Sequence, residues 1–377
     1  MKTPQASFSH LLAMTDAIGL FEHAELTRPR PEHGYCVDDV ARGLVVLCRV
    51  PRPGVEPFPA AAEPALDLTV VGWRFLRFLA DAQTPDGRLR NRRDIRGRWR
   101  GRAGVEDCWG RALWGLGTAA SRSGQHDLAA HALARFAVSV GCRSPWPRAM
   151  AFAGLGAAEV LRVDPHHAAA RALLADAAAA VGRPRRHATW PWPEPRLTYA
   201  NAVVPDVLMA AGQGLGDSGL VEDGLLLLGW LLDVETAADG HLSVTPVGGW
   251  AAGEPRPGFD QQPIEVAALA DACARAFELT GDARWARAVD AAASWFCGVN
   301  DVGTPLHDPA TGGGCDGLEP HGRNENQGAE STLALISTLQ QASRLALCSW
   351  EATEQHLSGS RLPASRPAAR GCGGVPR

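Results

Sequence analysis

Five carboxylates near the starts of alternate helical segments are the candidates for catalysis in this sequence. An inverting glycosidase needs two carboxyl groups about 6.5–9.5 Å apart, one acting as the acid and the other as the base. Aspartate and glutamate are also favoured at helix N-caps and in the first helical turn, so capping is the alternative role for each residue. The candidates are Asp107, Asp260, Asp39, Glu265 and Glu330.

Adjacent aspartates in the second helical segment have different expected roles. Asp38 and Arg42 stand four residues apart, a spacing that predicts an ion pair along one face of the helix. Asp39 points to another face, and we expect its carboxylate to lie in the cleft. Glu265 lies one turn into its own segment, beyond the capping positions, which favours a functional role.

Amide, aromatic and basic side chains accompany these carboxylates near the same helical starts. Amides and carboxylates form directional hydrogen bonds with hydroxyl groups, and aromatic rings pack on the C–H face of a pyranose. The set is therefore typical of a sugar-binding cleft. Its members are His33, Tyr35, Asp38, Arg42, Glu106, Trp109, Arg148, Trp192, Tyr199, Asn201, Gln261, Gln262, Asn326 and Gln327.

The sequence lacks a recognisable motif for a metal or another cofactor. Its twelve histidines are scattered, and no grouping of histidine and cysteine has the spacing of zinc ligands. The glycine-rich segment 311–317 lacks the Lys-Ser or Lys-Thr pair of a phosphate-binding P-loop. We therefore predict no metal and no cofactor.

Apolar residues recur at helical spacing in twelve segments, which glycine- and proline-rich breaks separate. Twelve helices in succession predict an all-α fold, an (α/α)6 toroid of six helical hairpins with short β-hairpin insertions in the loops. The segments begin near Phe8, Val37, Asp67, Glu106, Asp127, Arg148, His167, Tyr199, Gly219, Gln262, Ala283 and Gln327.

An internal repeat of 153 residues indicates that the hairpins close into a ring. In each copy an apolar helix is followed by an Asp-Gly turn, at Asp86 or Asp239, and then by a tryptophan and an acidic helical start. A shift of three hairpins out of six is half a ring, so Asp107 and Asp260 would face each other across the cavity. An open helical solenoid is the alternative, but its repeats would be shorter and more regular.

Composition limits the class of protein. The 377 residues are 46% hydrophobic and 21% charged, which predicts one large domain over residues 1–350 and a disordered tail over 351–377. The net charge is −4 and the one arginine-dense stretch, Arg88 to Arg102, is a single loop, so we expect no nucleic-acid partner. No apolar run approaches the roughly 18 residues of a membrane helix, and nine cysteines without a CxxC pair indicate a cytoplasmic location.

Three motifs resemble the signature of a bacterial family encoded among carbohydrate genes. They are HGYCVDDVAR at residues 33–42, FDQQPIE at 259–265 and NQGAEST at 326–332, with Val40 where members mostly carry Asn. The family belongs to the six-hairpin glycosidase-like superfamily, and its members are often labelled glycosyltransferases because they are encoded beside or fused to them. Over about residues 15 to 345, the resemblance implies the toroid, carbohydrate chemistry and a functional link to a glycosyltransferase.

These features predict an inverting glycoside hydrolase acting on a short oligosaccharide or glycoconjugate. Asp107 and Asp260 are the preferred acid/base pair, with Asp39, Glu265 and Glu330 in reserve. The alternatives are a sugar epimerase on the same toroid and a non-catalytic glycan-binding partner of a glycosyltransferase. Only His33 and His321 lie near a predicted helical start, which disfavours an epimerase that uses two histidines. Attack by phosphate instead of water also stays open, since Arg148 or Arg323 could bind phosphate.

Overall fold

Helices make up most of the structure, a computed structural model that describes residues 4–50, 65–186 and 189–359. The helices are α1 (Ser9–Ala13), α2 (Val37–Cys48), α3 (Ala65–Ala82), α4 (Asp107–Arg122), α5 (His126–Ser139), α6 (Pro147–Val163), α7 (Ala168–Val181), α8 (Val203–Leu215), α9 (Ser218–Val234), α10 (Pro263–Thr280), α11 (Ala283–Phe296) and α12 (Ala329–Gly359). The start of each lies within four residues of its predicted position.

Short strands lie in the connections between the helices. They form one three-stranded and three two-stranded antiparallel sheets within the described residues, and so confirm the predicted hairpin insertions. The strands are β1 (Ala24–Glu25), β2 (Arg28–Pro29), β3 (Tyr35–Cys36), β4 (Arg92–Arg93), β5 (Trp99–Arg100), β6 (Arg196–Leu197), β7 (Trp250–Ala251), β8 (Gly317–Glu319) and β9 (Gly322–Asn324).

Local capping chemistry sets several helix boundaries. The Asp217 carboxylate accepts hydrogen bonds from two backbone N–H groups, at 2.9 and 3.2 Å, where α9 begins. Asp282 caps α11 in the same way. Helices α8 and α10 end at Gly216 and Gly281, whose left-handed backbone glycine adopts without a side-chain clash.

The even-numbered helices form a closed inner ring. Each packs against the next even-numbered helix, and α12 packs against α2, while the odd-numbered helices cover the outside. This arrangement confirms the (α/α)6 toroid. Because successive helices run in opposite directions, all the inner helices begin at the same end of the ring, where the predicted site residues lie.

The two copies of the internal repeat have the same backbone geometry. The bridge between Gln83 and Leu89 in the first copy corresponds to the bridge between Thr236 and Leu242 in the second, 153 residues later. The glycines of the two Asp-Gly turns have φ of +84° and +95°. Helices α4 and α10 therefore stand half a ring apart, as the repeat predicted.

Ion pairs tie inner helices together near their C-terminal ends. Arg122 on α4 donates to Glu159 on α6 at 2.6 Å, and Arg49 after α2 donates to Asp271 on α10 at 2.8 Å. Burial would raise the pKa of Glu159, but the Arg122 guanidinium overrides it and lowers that pKa to about 2. These pairs close the end of the ring opposite the site.

The last helix ends beyond the predicted boundary between the domain and the tail. Helix α12 extends to Gly359, nine residues into the predicted tail, and residues 360–377 lie outside the described residues, so the tail stays a prediction. Among the described helices, none is both long enough and apolar enough to span a bilayer.

Glycines allow α4 and α6 to pack backbone against backbone, and this contact predicts a stability effect. A Cβ at Gly117 would overlap the carbonyl oxygen of Gly156, whereas a Cβ at Gly72 in α3 would meet only Leu128 at 3.5 Å. We expect Gly117→Ala to lower the free energy of unfolding by about 1–3 kcal/mol. The matched variant Gly72→Ala should be neutral or stabilising by up to about 1 kcal/mol. Urea unfolding of both variants checks this, and equal effects would contradict it.

Candidate active site

A cleft opens at the end of the ring where the inner helices begin. It contains a larger cavity of about 380 Å³ and a smaller cavity of about 220 Å³, and Gln262, the N-cap of α10, lines both. The larger cavity is also lined by Glu22, His23, Cys36, Asp38, Asp39, Arg42, Arg92, Arg111, Asp316, Gly328, Glu330 and Ser331. The smaller cavity is also lined by Thr198, Tyr199, Thr245, Pro246, Val247, Gly248, Gly249 and Glu265.

A chain of polar contacts around Asp107 links the two cavities. Arg111 donates to Asp38 at 2.9 Å and lies 3.8 Å from the Asp107 carboxylate. The Tyr199 hydroxyl donates to the same Asp107 carboxylate, and burial together with that negative charge raises the pKa of the phenol. Arg111 lines the larger cavity and Tyr199 the smaller one, so Asp107, which lines neither, contacts one wall residue of each.

Arg42 pairs with Asp39 and Glu330, so the ion pair predicted between Asp38 and Arg42 was wrong. Its guanidinium donates to Asp39 at 2.5 Å and lies 2.8 Å from Glu330 on α12. Asp38 is instead bound by Arg111, because the neighbouring helix α4 supplies a cation in direct contact with it. Helical spacing predicts only partners on the same helix, whereas the ring places one helix on each side of α2, namely α4 and α12.

The two adjacent aspartates differ in their electrostatic surroundings. Burial would raise the pKa of Asp38, but the guanidiniums of Arg111 and Arg42 lower it below its ordinary value. Burial raises the pKa of Asp39, with the Glu330 charge adding to it and Arg42 opposing it. Asp38 therefore favours the ionised form, whereas Asp39 holds its proton more tightly.

Glu265 is a buried carboxyl group at the start of α10. It accepts hydrogen bonds from the backbone N–H groups of Ala200 and Asn201 and from the Asn201 side chain, the last two at 3.1 Å. Burial, with the nearby charge of Glu235, raises the pKa of Glu265 to about 8. Burial thus favours the protonated form of Glu265 in the wall of the smaller cavity, against the three N–H donors that favour the ionised form.

Asp260 lies in the loop that precedes α10, and its side chain is exposed. Its carbonyl oxygen accepts a hydrogen bond from Val247 N at 2.8 Å, which closes the loop beside the smaller cavity. Asp260 is not among the described residues that line the two cavities. Its pairing with Asp107 stays a prediction.

Six predicted sugar ligands are buried, and five of them form hydrogen bonds with other parts of the protein. The Tyr35 hydroxyl donates to Asp16 at 2.6 Å, and Gln327 donates to Asp308 at 2.8 Å. Because these side chains line neither cavity, whereas the buried Asp39 and Glu265 each line one, we leave them out of the site. At most 3% exposed, they are Tyr35, Trp109, Trp192, Asn201, Gln261 and Gln327.

Arg148 supports the smaller cavity from behind instead of contacting a substrate. It is 4% exposed, and it donates to the Tyr199 carbonyl oxygen at 2.9 Å and to Asn201 at 3.2 Å. Its guanidinium also lies 2.8 Å from Glu194. Arg148 therefore fixes the backbone on which Tyr199 and Glu265 depend.

Three further predicted ligands lie at the edge of the cleft. Glu106 is exposed at the N-cap of α4, and His33 is exposed beside His23. The Asn326 side chain accepts a hydrogen bond from Leu26 N at 2.8 Å and so holds a loop. The structure gathers Asp107, Asp38, Asp39, Arg42, Tyr199, Gln262, Glu265 and Glu330 in or beside the two cavities.

Several cleft residues were missed by the sequence analysis. Arg111 had a usable signal, because it stands four residues after Asp107 on the same helix. His23 and Arg92 come from loops far apart in the chain, and their positions depend on how those loops fold over the ring. The same is true of Glu22 and Asp316.

One group of described residues has the proximity of metal ligands. Potential ligand atoms of Glu22, Cys36 and Asp39 all lie within 4.8 Å of one another. Each carboxylate already has a cation of the protein as its partner, since Arg92 pairs with Glu22 and Arg42 with Asp39. A divalent cation would have to displace these arginines, so the local charges do not favour a metal at this position.

Comparison with known proteins establishes the fold. No protein-family model and no curated protein matches the chain. A sugar epimerase from a ruminal bacterium superposes with a TM-score of 0.65 at 11% identity, over 89% of this chain and 95% of its own. A cellobiose 2-epimerase from Spirochaeta thermophila gives 0.62 at 12% identity, over 90% and 94%. A metagenome-derived glycoside hydrolase family 9 endoglucanase gives 0.55 at 15% identity, over 86% and 70%.

The buried Glu265 predicts a loss of stability as the pH rises. Its folded pKa of about 8 lies above the ordinary value of 4.5, so the folded state binds more protons between these values. This group should therefore lower the free energy of unfolding from about pH 5 to pH 8, by at most about 1.4 kcal/mol per pH unit. Urea unfolding of the wild type and of Glu265→Gln over this range checks it.

Only the change with pH is informative in this comparison, because the glutamine also alters hydrogen bonds at every pH. Glu159→Gln is the matched control, since Glu159 titrates at about pH 2 and should give a constant offset above pH 5. If wild type and Glu265→Gln keep parallel profiles between pH 5 and pH 8, the raised pKa of Glu265 is wrong.

Proposed function

We propose that this protein is a carbohydrate-active enzyme, an inverting glycoside hydrolase that acts on a short oligosaccharide or glycoconjugate. The observation that carries the proposal is that the partly exposed Asp107 carboxylate contacts Tyr199 in the wall of one cavity and Arg111 in the wall of the other. Two neighbouring sugar units, one in each cavity, would have their linkage beside this carboxylate. The shared wall at Gln262 supports two adjacent subsites.

Asp107 is the general base in this mechanism. It removes a proton from the water that attacks the anomeric carbon, while an acid on the other side protonates the glycosidic oxygen as the C–O bond breaks. The hydrogen bond from Tyr199 and the nearby Arg111 guanidinium orient the Asp107 carboxylate. They leave it 25% exposed, so water can reach it.

Glu265 is the general acid that the site supports best. It lines the smaller cavity, and burial raises its pKa, which favours the protonated form that proton donation requires. Asp260, the partner predicted from the repeat, is the alternative acid, because its loop borders the same cavity. In the larger cavity, Arg111 and Arg42 with their carboxylate partners would bind sugar hydroxyls.

A sugar epimerase is the second candidate, and a histidine pair at the larger cavity favours it. His23 lines this cavity, and its ring centroid lies 4.9 Å from that of His33. Epimerisation needs an acid/base group that removes and returns a proton at a sugar carbon, which imidazole does near neutral pH. Two of the compared structures are epimerases. Deuterium incorporated from D₂O at a sugar carbon would show this reaction.

Three finer predictions accompany the proposal. A glycan-binding role without catalysis would leave binding intact when Asp107 becomes an amide. The link to a glycosyltransferase rests on the motifs of the sequence. The cytoplasm as location is supported by seven cysteines that are free among the described residues.

Loss of the Asp107 carboxylate should abolish most of the activity. Purified protein would be screened by NMR against mannose- and glucose-based oligosaccharides, with and without phosphate, to record cleavage and the anomer that forms first. We expect inversion, and we expect Asp107→Asn to lower turnover at least about 100-fold because a general base is removed. Glu265→Gln and Asp260→Asn, measured in parallel, decide between the two candidate acids.

Asp127→Asn is the matched control for this experiment. Asp127 also lies in the first turn of a helix, but on the outer helix α5, where its side chain is 87% exposed. It should retain full turnover. A less than tenfold loss in Asp107→Asn would remove Asp107 from the mechanism, and a retained anomeric configuration would contradict the inverting assignment.

A further inference from the structure

The hairpin formed by β4 and β5 carries arginines on one face. Residues 88–102 include eight arginines and one aspartate, in a chain whose net charge is −4. Because successive strand residues point to opposite faces, Arg92 and Arg100 share one face while Arg93 and Trp99 share the other. Trp99 packs edge-on against Phe78, with ring centroids 5.1 Å apart. The arginine face therefore lies on the side of the hairpin opposite Phe78.

Like charges face each other across this hairpin. Arg92 and Arg100 are direct cross-strand partners, an arrangement that destabilises a strand pair unless an anion lies nearby, and Glu22 is the anion that contacts Arg92. Asp94, the one acidic residue of the stretch, lies 3.1 Å from Arg98 and 3.6 Å from Arg100. Six of the arginines are exposed; Arg92 pairs with Glu22 and Arg88 lies 3.4 Å from Asp86, but Asp94 alone cannot balance the other four, Arg96, Arg98, Arg100 and Arg102.

The hairpin is held in a fixed shape without any ligand. The Asp94 carboxylate accepts hydrogen bonds from the backbone N–H groups of Arg96 and Arg98, both at 3.0 Å. Gly97 supplies the left-handed backbone of the turn, with φ of +77°. A ligand that binds the arginine face therefore does not have to order the backbone.

The arginine face continues into the cleft. Strand β4 pairs with β3, where Arg92 stands opposite Cys36, and α2 begins directly after β3. Arg92 and Cys36 both line the larger cavity. Inside this cavity carboxylates outnumber guanidiniums, which suits uncharged sugar units, whereas positive charge predominates on the hairpin outside it.

We propose that the arginine face binds acidic groups, carboxylate or phosphate, on a saccharide chain that extends out of the larger cavity. The inference rests on the proposed function for the saccharide, and on the hairpin for the acidic groups. Guanidinium binds both kinds of anion through paired N–H donors. The protein would then select chains with uncharged units at the reacting bond and acidic units beyond it.

Binding to polysaccharides of known charge tests this proposal without any catalytic readout. Polygalacturonate carries carboxylates, phosphomannan carries phosphates, and mannan is uncharged. Calorimetry at about 0.15 M salt should show binding to one or both acidic chains and at least about tenfold weaker binding to mannan. The variant Arg96→Gln/Arg98→Gln/Arg100→Gln should lose about tenfold or more of that affinity.

A second triple variant controls for the loss of three charges. Arg77, Arg135 and Arg287 are exposed on the outer helices α3, α5 and α11, so Arg77→Gln/Arg135→Gln/Arg287→Gln changes the net charge equally. It should bind like the wild type. Equal losses in both variants, no binding to either acidic chain, or tighter binding to duplex DNA than to the acidic chains would overturn the proposal. Absence of cleavage would affect the proposed hydrolase and leave this binding result unchanged.

Discussion

Two buried aspartates at the start of α2 are the constraint on which the cleft depends. Asp38 and Asp39 are 8% and 2% exposed, and buried charge of this kind requires a paired cation. Arg111 comes from α4 and Arg42 reaches Glu330 on α12, so charge pairing ties α2 to both of its neighbours in the inner ring. Removing either arginine would leave a buried carboxylate unpaired, and the same pairs fix the floor of the larger cavity.

Packing of the inner ring gives these charges their positions. Gly110 and Gly117 bring α4 against the backbone of α6, a closeness that larger side chains would prevent. Partners from distant parts of the chain then meet, as when Arg42 reaches Glu330. The polar contacts are strong only because the helices already hold the groups together, since an exposed pair of the same kind contributes little.

The fold was predictable because its signals are local and repeated. Helical periodicity, Asp-Gly turns and the 153-residue shift can each be recognised in the sequence without knowledge of distant contacts. Ring order followed, and it placed the starts of the inner helices, which carry Asp107 and Tyr199, at one end of the ring. Contacts between helices were not predictable, because sequence spacing does not reveal that Arg111 pairs with Asp38 while Arg42 pairs with Asp39. Nor does residue type distinguish a side chain facing the cleft from one behind it, as buried Trp109 illustrates.

Strand β3 is only two residues long, yet it joins two regions of opposite charge. One edge pairs with β4, and its C-terminal end passes straight into α2 without an intervening loop. No flexible joint therefore separates the arginine-bearing hairpin from the paired aspartates. The outer surface and the cavity floor are therefore joined by β3–β4 pairing and by continuous backbone from Tyr35 to Asp39.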